Sequence, residues 1–314
     1  MPLLDLGAAI SIAFSYFTIL YLTGLGGLFS ERSGIVNIGL EGLMIVGTVM
    51  GAWGTIQWGP IAGLLIGLLA GLLFAVVHAI ATVTFRVDHI VSGVVINIVA
   101  AGLARFLSQA FFQSSTQSNS GIPDLPEIDI PLLDRIPWGL GRAFQDLSPV
   151  VLVAFLITIP VLYVLNRTRF GLRLRSAGEN PEATRTLGVR VAPLRYSGVV
   201  ISGALAGLAG AFLSIEVNQQ YLEGQTQGMG FIALAALILG NWRPLRLMAG
   251  ALVFGFATAV PLRLGDVISN VGIPEEFIRM LPYIVTIIAI AGFVGRVQPP
   301  AAAGKAYEGG GGGT

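Results

Sequence analysis

The chain has 314 residues, of which 54% are hydrophobic and 11% are charged, and its formal net charge is +1. Soluble domains carry about 25% charged residues, so this composition indicates an integral membrane protein whose solvent is the lipid bilayer. The small net charge gives no basis for binding nucleic acid, and the absence of cysteine excludes disulfides, thiol catalysis and thiolate-bound metals.

Eight apolar stretches are long enough to cross a bilayer, because about 20 helical residues span roughly 30 Å of hydrocarbon. They cover residues 7–29, 35–56, 60–84, 89–112, 149–166, 195–216, 246–264 and 278–295. A ninth stretch, 229–241, would reach only about 20 Å and is predicted to be a half-span or a re-entrant segment. The predicted fold class is therefore an all-α, polytopic helical bundle of about 8–10 spans with short or re-entrant segments.

The first span has no Lys or Arg before it, so we expect it to be retained rather than cleaved as a signal peptide. It ends at Ser-Glu-Arg-Ser-Gly (30–34), which is either a loop or a break within the membrane. We expect Glu31 and Arg32 to bond the interrupted backbone there.

Polar residues within the spans are candidates for the translocation path, because such groups usually face a cavity or another helix. Asn37 and Glu41 lie four residues apart, on one helix face. Asn97 on the fourth span and Glu216 at the end of the sixth complete the set. For Asn37 and Asn97, bonding of one helix to another is an equally open interpretation.

Two loops predict the orientation of the chain. The loop 167–195 contains seven of the chain's eighteen basic residues, so we expect it to be cytoplasmic. The loop 114–148 is mainly acidic and is expected to be external, with the N-terminus outside and the C-terminus inside. Residues 1–297 then form one transmembrane domain, and the Gly- and Ala-rich tail 298–314 is expected to be disordered.

The basic loop contains the signals of a short helix: a capping residue, two first-turn residues and a terminating glycine, which are Asn180, Pro181, Glu182 and Gly188. Ala183 and Leu187 lie on one face, where they form a small knob for a partner's groove. The alternative is an amphipathic helix that rests on the membrane, although it lacks the large apolar face that such helices have.

The segment SAGENPEATRTLGV (176–189) resembles the coupling-helix loop of binding-protein-dependent permeases for branched-chain amino acids, ribose and nucleosides. The nucleoside-type permeases, often labelled simple-sugar permeases, are the subgroup with the greatest resemblance. The segments that carry it are FSERSGIVNIGLEGLM (29–44), VSGVVINIVAAGLARFL (91–107), YSGVVISGALAGLAGAFLS (196–214), GFIALAALILGNWRPL (230–245) and PEEFIRMLPYIVTIIAI (274–290).

This resemblance implies an ABC importer of the bacterial cytoplasmic (inner) membrane. The permease would pair with a second homologous permease, two ATP-binding cassette ATPase subunits and an extracytoplasmic solute-binding lipoprotein. The chain has no GxxxxGK[ST] loop, so ATP would be hydrolysed by the partner, and we predict no catalytic residue, cofactor or metal site in this subunit. The expected ATPase-coupling residues are Arg175, Glu179, Asn180, Glu182, Ala183 and Gly188.

The resemblance implies a nucleoside as the solute, with ribose-like sugars or branched-chain amino acids as alternatives. The other class considered is an ion-coupled secondary transporter, which needs a carboxylate within a span to carry a proton or Na⁺. Glu41 is the clear candidate for that carboxylate.

Overall fold

The computed structural model describes residues 6–118, 121–126, 147–269 and 297–307, with residues 277, 280, 283–285, 287 and 288. In this part of the chain the elements are α-helices. They are α1 (Leu6–Arg32), α2 (Leu40–Trp58), α3 (Pro60–Ala79), α4 (His89–Phe112), α5 (Pro149–Leu156), α6 (Thr158–Arg167), α7 (Arg169–Glu179), α8 (Pro181–Thr186), α9 (Val191–Phe212), α10 (Met229–Leu239) and α11 (Pro244–Ser269). One turn of π-helix continues α3 and another continues α9.

Five apolar helical stretches in the described residues are long enough to cross a membrane: Ala9–Arg32, Pro60–Thr84, His89–Phe112, Pro149–Arg167 and Val191–Val217. The predicted all-α polytopic fold is confirmed. The fourth stretch is not one continuous helix, because α5 and α6 meet at Ile157. Most of the predicted span 278–295 lies outside the described residues.

The helices at the centre pack through glycines spaced four residues apart, as in membrane helices that approach closely. A Cβ at Gly47 of α2 would collide with the backbone of Gly207 on α9, and one at Gly71 of α3 would collide with Gly203. The core therefore has little room for side chains between α2, α3 and α9.

Two helices begin in the middle of the bundle rather than at its surface. After α1, residues 33–39 run without regular helix, and α2 starts at Leu40. After α9, residues 218–228 return into the bundle, and α10 starts at Met229. Helix α10 has 11 residues, so its length is about 16 Å, which confirms the predicted half-span.

Residues 297–307 cross the end of the bundle where α7 and α8 lie, hereafter the α7–α8 end. The N–H of Ala302 donates to the carbonyl of Gly178 at 2.9 Å, and that of Gly304 donates to the carbonyl of Gly34 at 3.2 Å. The expected disorder of 298–314 therefore does not describe residues 298–307. Small side chains let this segment lie flat against the helices, while its backbone supplies the hydrogen bonds.

Candidate functional site

The N-terminus of α2 is capped from another helix. Asn97 of α4 accepts a hydrogen bond at its Oδ1 from the N–H of Gly42, at 2.7 Å, and its Nδ2 donates to the carbonyl of Ile38 at 3.1 Å. One amide thus pairs an N–H of the first helical turn, a group that has no partner within the helix, and a carbonyl of the irregular segment before it. Asn97 fixes the point at which α2 begins.

The N-terminus of α10 is capped by Glu41, which lies in the first turn of α2. Its Oε1 accepts from the hydroxyl of Thr226 at 2.5 Å and from the N–H of Gly228 at 2.9 Å, and its Oε2 accepts from the N–H of Gly230 at 2.7 Å. A carboxylate suits this position because a helix N-terminus carries partial positive charge. The two interrupted helices therefore meet at one buried carboxylate, hereafter the Glu41 junction.

The remaining path candidates lie at different places. The Nδ2 of Asn37 donates to Ser202 Oγ at 2.9 Å, so Asn37 joins the irregular segment to the middle of α9. Its Oδ1 is buried and has no partner among the described residues. Glu216 lies in the π-helical turn Leu213–Val217 and is half-buried. The structure thus gathers Asn37, Glu41 and Asn97 around the start of α2, with Glu216 in the turn that follows α9.

The side chains of Glu31 and Arg32 do not bond the interrupted backbone in the described contacts, contrary to the expectation from sequence. Glu31 Oε2 accepts from Trp242 Nε1 at 2.6 Å, and Arg32 donates through Nη2 to the Trp242 carbonyl at 2.7 Å. Both therefore join the end of α1 to the turn between α10 and α11. Serines bond the break instead: Ser30 Oγ donates to the Ile35 carbonyl, and Ser33 Oγ donates to that of Ser30.

At the opposite end of the bundle the loops after α4 and α9 bond each other. The N–H of Glu223 donates to the Thr116 carbonyl at 2.7 Å, and Arg105 lies 3.8 Å from the Glu223 carboxylate. Burial, followed by the charge of Glu223, raises the pKa of Tyr221 to about 12, so that phenol stays neutral near pH 7. The loop of residues 218–228 that takes part in this layer also supplies Thr226 and Gly228 to the Glu41 junction.

The short helix in the basic loop forms as its sequence predicts. Asn180 Oδ1 accepts from the N–H of Ala183 at 3.0 Å, and Gly188 has a φ of 77°, in the left-handed region. Ala183 and Leu187 are both exposed, and Leu187 is 81% exposed. An exposed leucine on a short polar helix leaves the knob free for a partner.

Of the expected coupling residues, Arg175 and Glu179 lie on α7 and not on this knob. Arg175 Nη1 donates to Asn166 Oδ1 at 2.9 Å, and Glu179 lies 3.5 Å from Arg32 Nη1. Glycine makes the close approach possible, since a Cβ on Gly178 would collide with the Arg32 carbonyl. Helix α7 therefore rests directly on the end of α1.

A bundle of apolar helices, two of them interrupted at buried polar caps, is typical of membrane transport proteins. Residues 9–290 match the family described as the permease component of the branched-chain amino acid transport system, and the chain belongs to that family. It is therefore a transporter permease subunit and a multi-pass protein of the inner membrane.

Individual relatives extend over most of the chain. It is 42% identical, over 93% of this chain and 94% of the relative, to the nucleoside ABC transporter permease protein NupC of Lactococcus lactis subsp. cremoris. It is 38% identical, over 93% of both, to the guanosine ABC transporter permease protein NupQ of Bacillus subtilis. It is also 33% identical, over 78% of this chain and 74% of the relative, to the putative glucose ABC transporter permease protein TsgC13 of Haloferax volcanii.

Proposed function

We propose that this chain is the permease subunit of an ABC importer that carries nucleosides across the inner membrane. The observation that carries the proposal is the full-length similarity to NupC and NupQ, whose names specify nucleoside and guanosine transport. The similarity to a putative glucose permease is lower and covers less of the chain, so sugars serve as comparison solutes.

In this proposal a separate ATPase binds the α7–α8 end, which is cytoplasmic. The exposed face of Ala183 and Leu187 enters a groove of the ATPase, while Asn180, Glu182 and Gly188 keep the helix short and in place. Ser176 on α7 bonds Thr184 on α8 at 2.6 Å, so a displacement of α8 moves α7 with it.

A chain of contacts joins this helix to the proposed path. Helix α7 rests on Arg32 at the end of α1, and the segment after α1 leads to Asn37 and then to Glu41. The caps at Asn97 and Glu41 consist of a few side-chain hydrogen bonds. Breaking and re-forming them requires less disruption than bending a continuous helix. We propose that ATP-driven displacement of α7 shifts the interrupted helices between two arrangements.

Uptake into proteoliposomes tests the function. The vesicles contain this chain together with the second permease subunit, the ATPase and the binding lipoprotein. Uptake of radiolabelled guanosine is compared with uptake of glucose, ribose and leucine. We expect guanosine uptake that requires ATP. Preferential ATP-driven uptake of a sugar or of leucine would contradict the solute, and uptake driven by an ion gradient in the presence of this chain alone would contradict the mechanism.

A further inference from the structure

A cleft of about 970 Å³ opens at the α7–α8 end, between α6, α7, the start of α11 and residues 297–299. Its charged lining is strongly unbalanced. Four arginines line it with one carboxylate: Arg32, Arg175, Arg243, Arg246 and Glu179.

Most of this positive charge has no carboxylate partner in the part of the chain that the structure describes. Arg32 lies next to Glu179, whose Oε2 also accepts from the N–H of Ala301, so that carboxylate is already occupied. The described partner of Arg175 is a neutral amide. Arg243 and Arg246 are exposed, and within the described residues no carboxylate pairs with either. Among the described residues the cleft therefore presents about three guanidinium groups that have no carboxylate partner, and the nearby N-terminus of α11 adds partial positive charge.

The cleft is also partly apolar. Leu162, near the end of the membrane-spanning stretch Pro149–Arg167, lines one wall together with Leu165, which is itself buried, and Leu245, which is 54% exposed, lines another. The charged part is thus continuous with a surface that faces the membrane. A ligand that fills both parts has an anionic group attached to an apolar chain.

We propose that this cleft binds the headgroup of an anionic phospholipid from the leaflet at the α7–α8 end. A phosphodiester oxygen pair matches the fork of an arginine guanidinium, and basic pockets between membrane helices are known to hold anionic headgroups. A nucleotide fits less well, because Trp242, the aromatic residue of the lining, is only 5% exposed and offers no face for a base. An acidic side chain of a protein would leave the leucine wall uncovered.

Lipid retention tests the proposal in the purified importer complex. The complex is reconstituted in phosphatidylcholine nanodiscs with a minor fraction of cardiolipin, extracted in detergent, and its bound cardiolipin is measured by mass spectrometry. The variant R243Q/R246Q removes two unpaired charges of the cleft. The matched control R169Q/R173Q removes two exposed arginines of α7 that do not line it.

We expect R243Q/R246Q to retain about tenfold less cardiolipin than the wild type, while R169Q/R173Q retains the wild-type amount. R243K/R246K keeps both charges and should retain more cardiolipin than the glutamine variant. This comparison distinguishes a loss of charge from a general loss of folding. If R243Q/R246Q does not yield intact complex, R175Q replaces it, with the same expected loss.

Three outcomes would overturn the proposal. The first is equal retention in the cleft variant and its control. The second is displacement of cardiolipin by excess inorganic phosphate, which would assign the cleft to a free anion. The third is unchanged retention with dissociation of the ATPase from R243Q/R246Q, which would assign these arginines to the protein interface.

Discussion

The side chain of Glu41 contacts three hydrogen-bond donors, so replacing its carboxylate by an amide should disturb these contacts. Its two oxygens receive one hydroxyl and two backbone N–H groups, and all three donors belong to the start of α10 or the turn before it. Ionised glutamate only accepts hydrogen bonds, whereas glutamine has one oxygen and one NH₂ donor. A glutamine at this position brings a donor against a backbone donor.

We therefore predict that Glu41→Gln lowers transport more than assembly. Losing one charge-assisted bond costs about 1.5–3 kcal/mol, so we expect the uptake rate to fall roughly tenfold or more while the complex still purifies intact. Uptake and subunit stoichiometry are measured on the same preparation.

The matched control for this junction is Thr258→Val, because the hydroxyl of Thr258 donates only to Phe254 of its own helix in the described contacts. Thr226→Val removes one donor to Glu41 and should give an intermediate loss of uptake. Unchanged rate and affinity in Glu41→Gln would assign this residue a purely structural role.

Helix α8 is the element on which the proposed coupling depends. Gly188 ends it at a φ of 77°, and apart from its two chain neighbours no described atom lies within 4 Å of the position that a Cβ would take. A substitution there acts through the backbone alone, and a β-branched residue in this region costs about 1–3 kcal/mol. We predict that Gly188→Val lowers uptake well below ATP turnover, or releases the ATPase, in the purified complex.

Gly59 provides a stringent control, because its φ of 88° and ψ of 169° lie in a region that is essentially restricted to glycine and the space around it is equally open, but it lies between α2 and α3. Gly59→Val should leave the ratio of uptake to hydrolysis unchanged. Ala183→Arg distinguishes a protein groove from a lipid surface: it should impair coupling in the first case and be harmless or favourable on anionic lipid. Normal uptake and hydrolysis in Gly188→Val with all subunits bound would refute the coupling role.

The C-terminal segment 297–307 stabilises the α7–α8 end through Arg195. This side chain is 1% exposed, donates to the Lys305 carbonyl at 3.1 Å, and lies 5.6 Å from the ring of Tyr307. We predict that a stop after Arg296 costs about 1.5–3 kcal/mol, since it removes a charge-assisted bond from a buried guanidinium, and that it lowers the melting temperature of the complex by several degrees.

A stop after Glu308 keeps these contacts and is the control. Arg195→Met removes the buried charge, so the stop after Arg296 should cost less in that background. If the two truncations melt alike in the wild-type background, the segment does not contribute to stability.

At the scale of the whole molecule, the two ends of the bundle should lie on opposite sides of the membrane. Gln117 and Arg169 are exposed at these ends, and the chain has no native cysteine. We predict that Gln117→Cys reacts with an impermeant thiol reagent from outside intact cells, and that Arg169→Cys reacts only in inverted vesicles. Labelling of both from the same side would overturn the topology.

The sequence alone determined the features that depend on local physics. The residue bounds of α4 and the half-length of α10 follow from runs of apolar residues, because lipid requires every backbone group in a span to be bonded within its own helix. The start and end of α8 could also be predicted, because the Asn180 cap and the left-handed Gly188 depend only on residues nearby in the sequence.

Only the tertiary structure decided how the interrupted helices are held. Asn97 caps α2 from 55 residues away, and Glu41 caps α10 from 189 residues away at Gly230. Composition likewise gave no sign that residues 298–307 pack, because their partners, which include the carbonyls of Gly178 and Gly34, lie far away in the sequence. Backbone groups are the same in every residue, so which of them pair over long separations depends on where the helices cross.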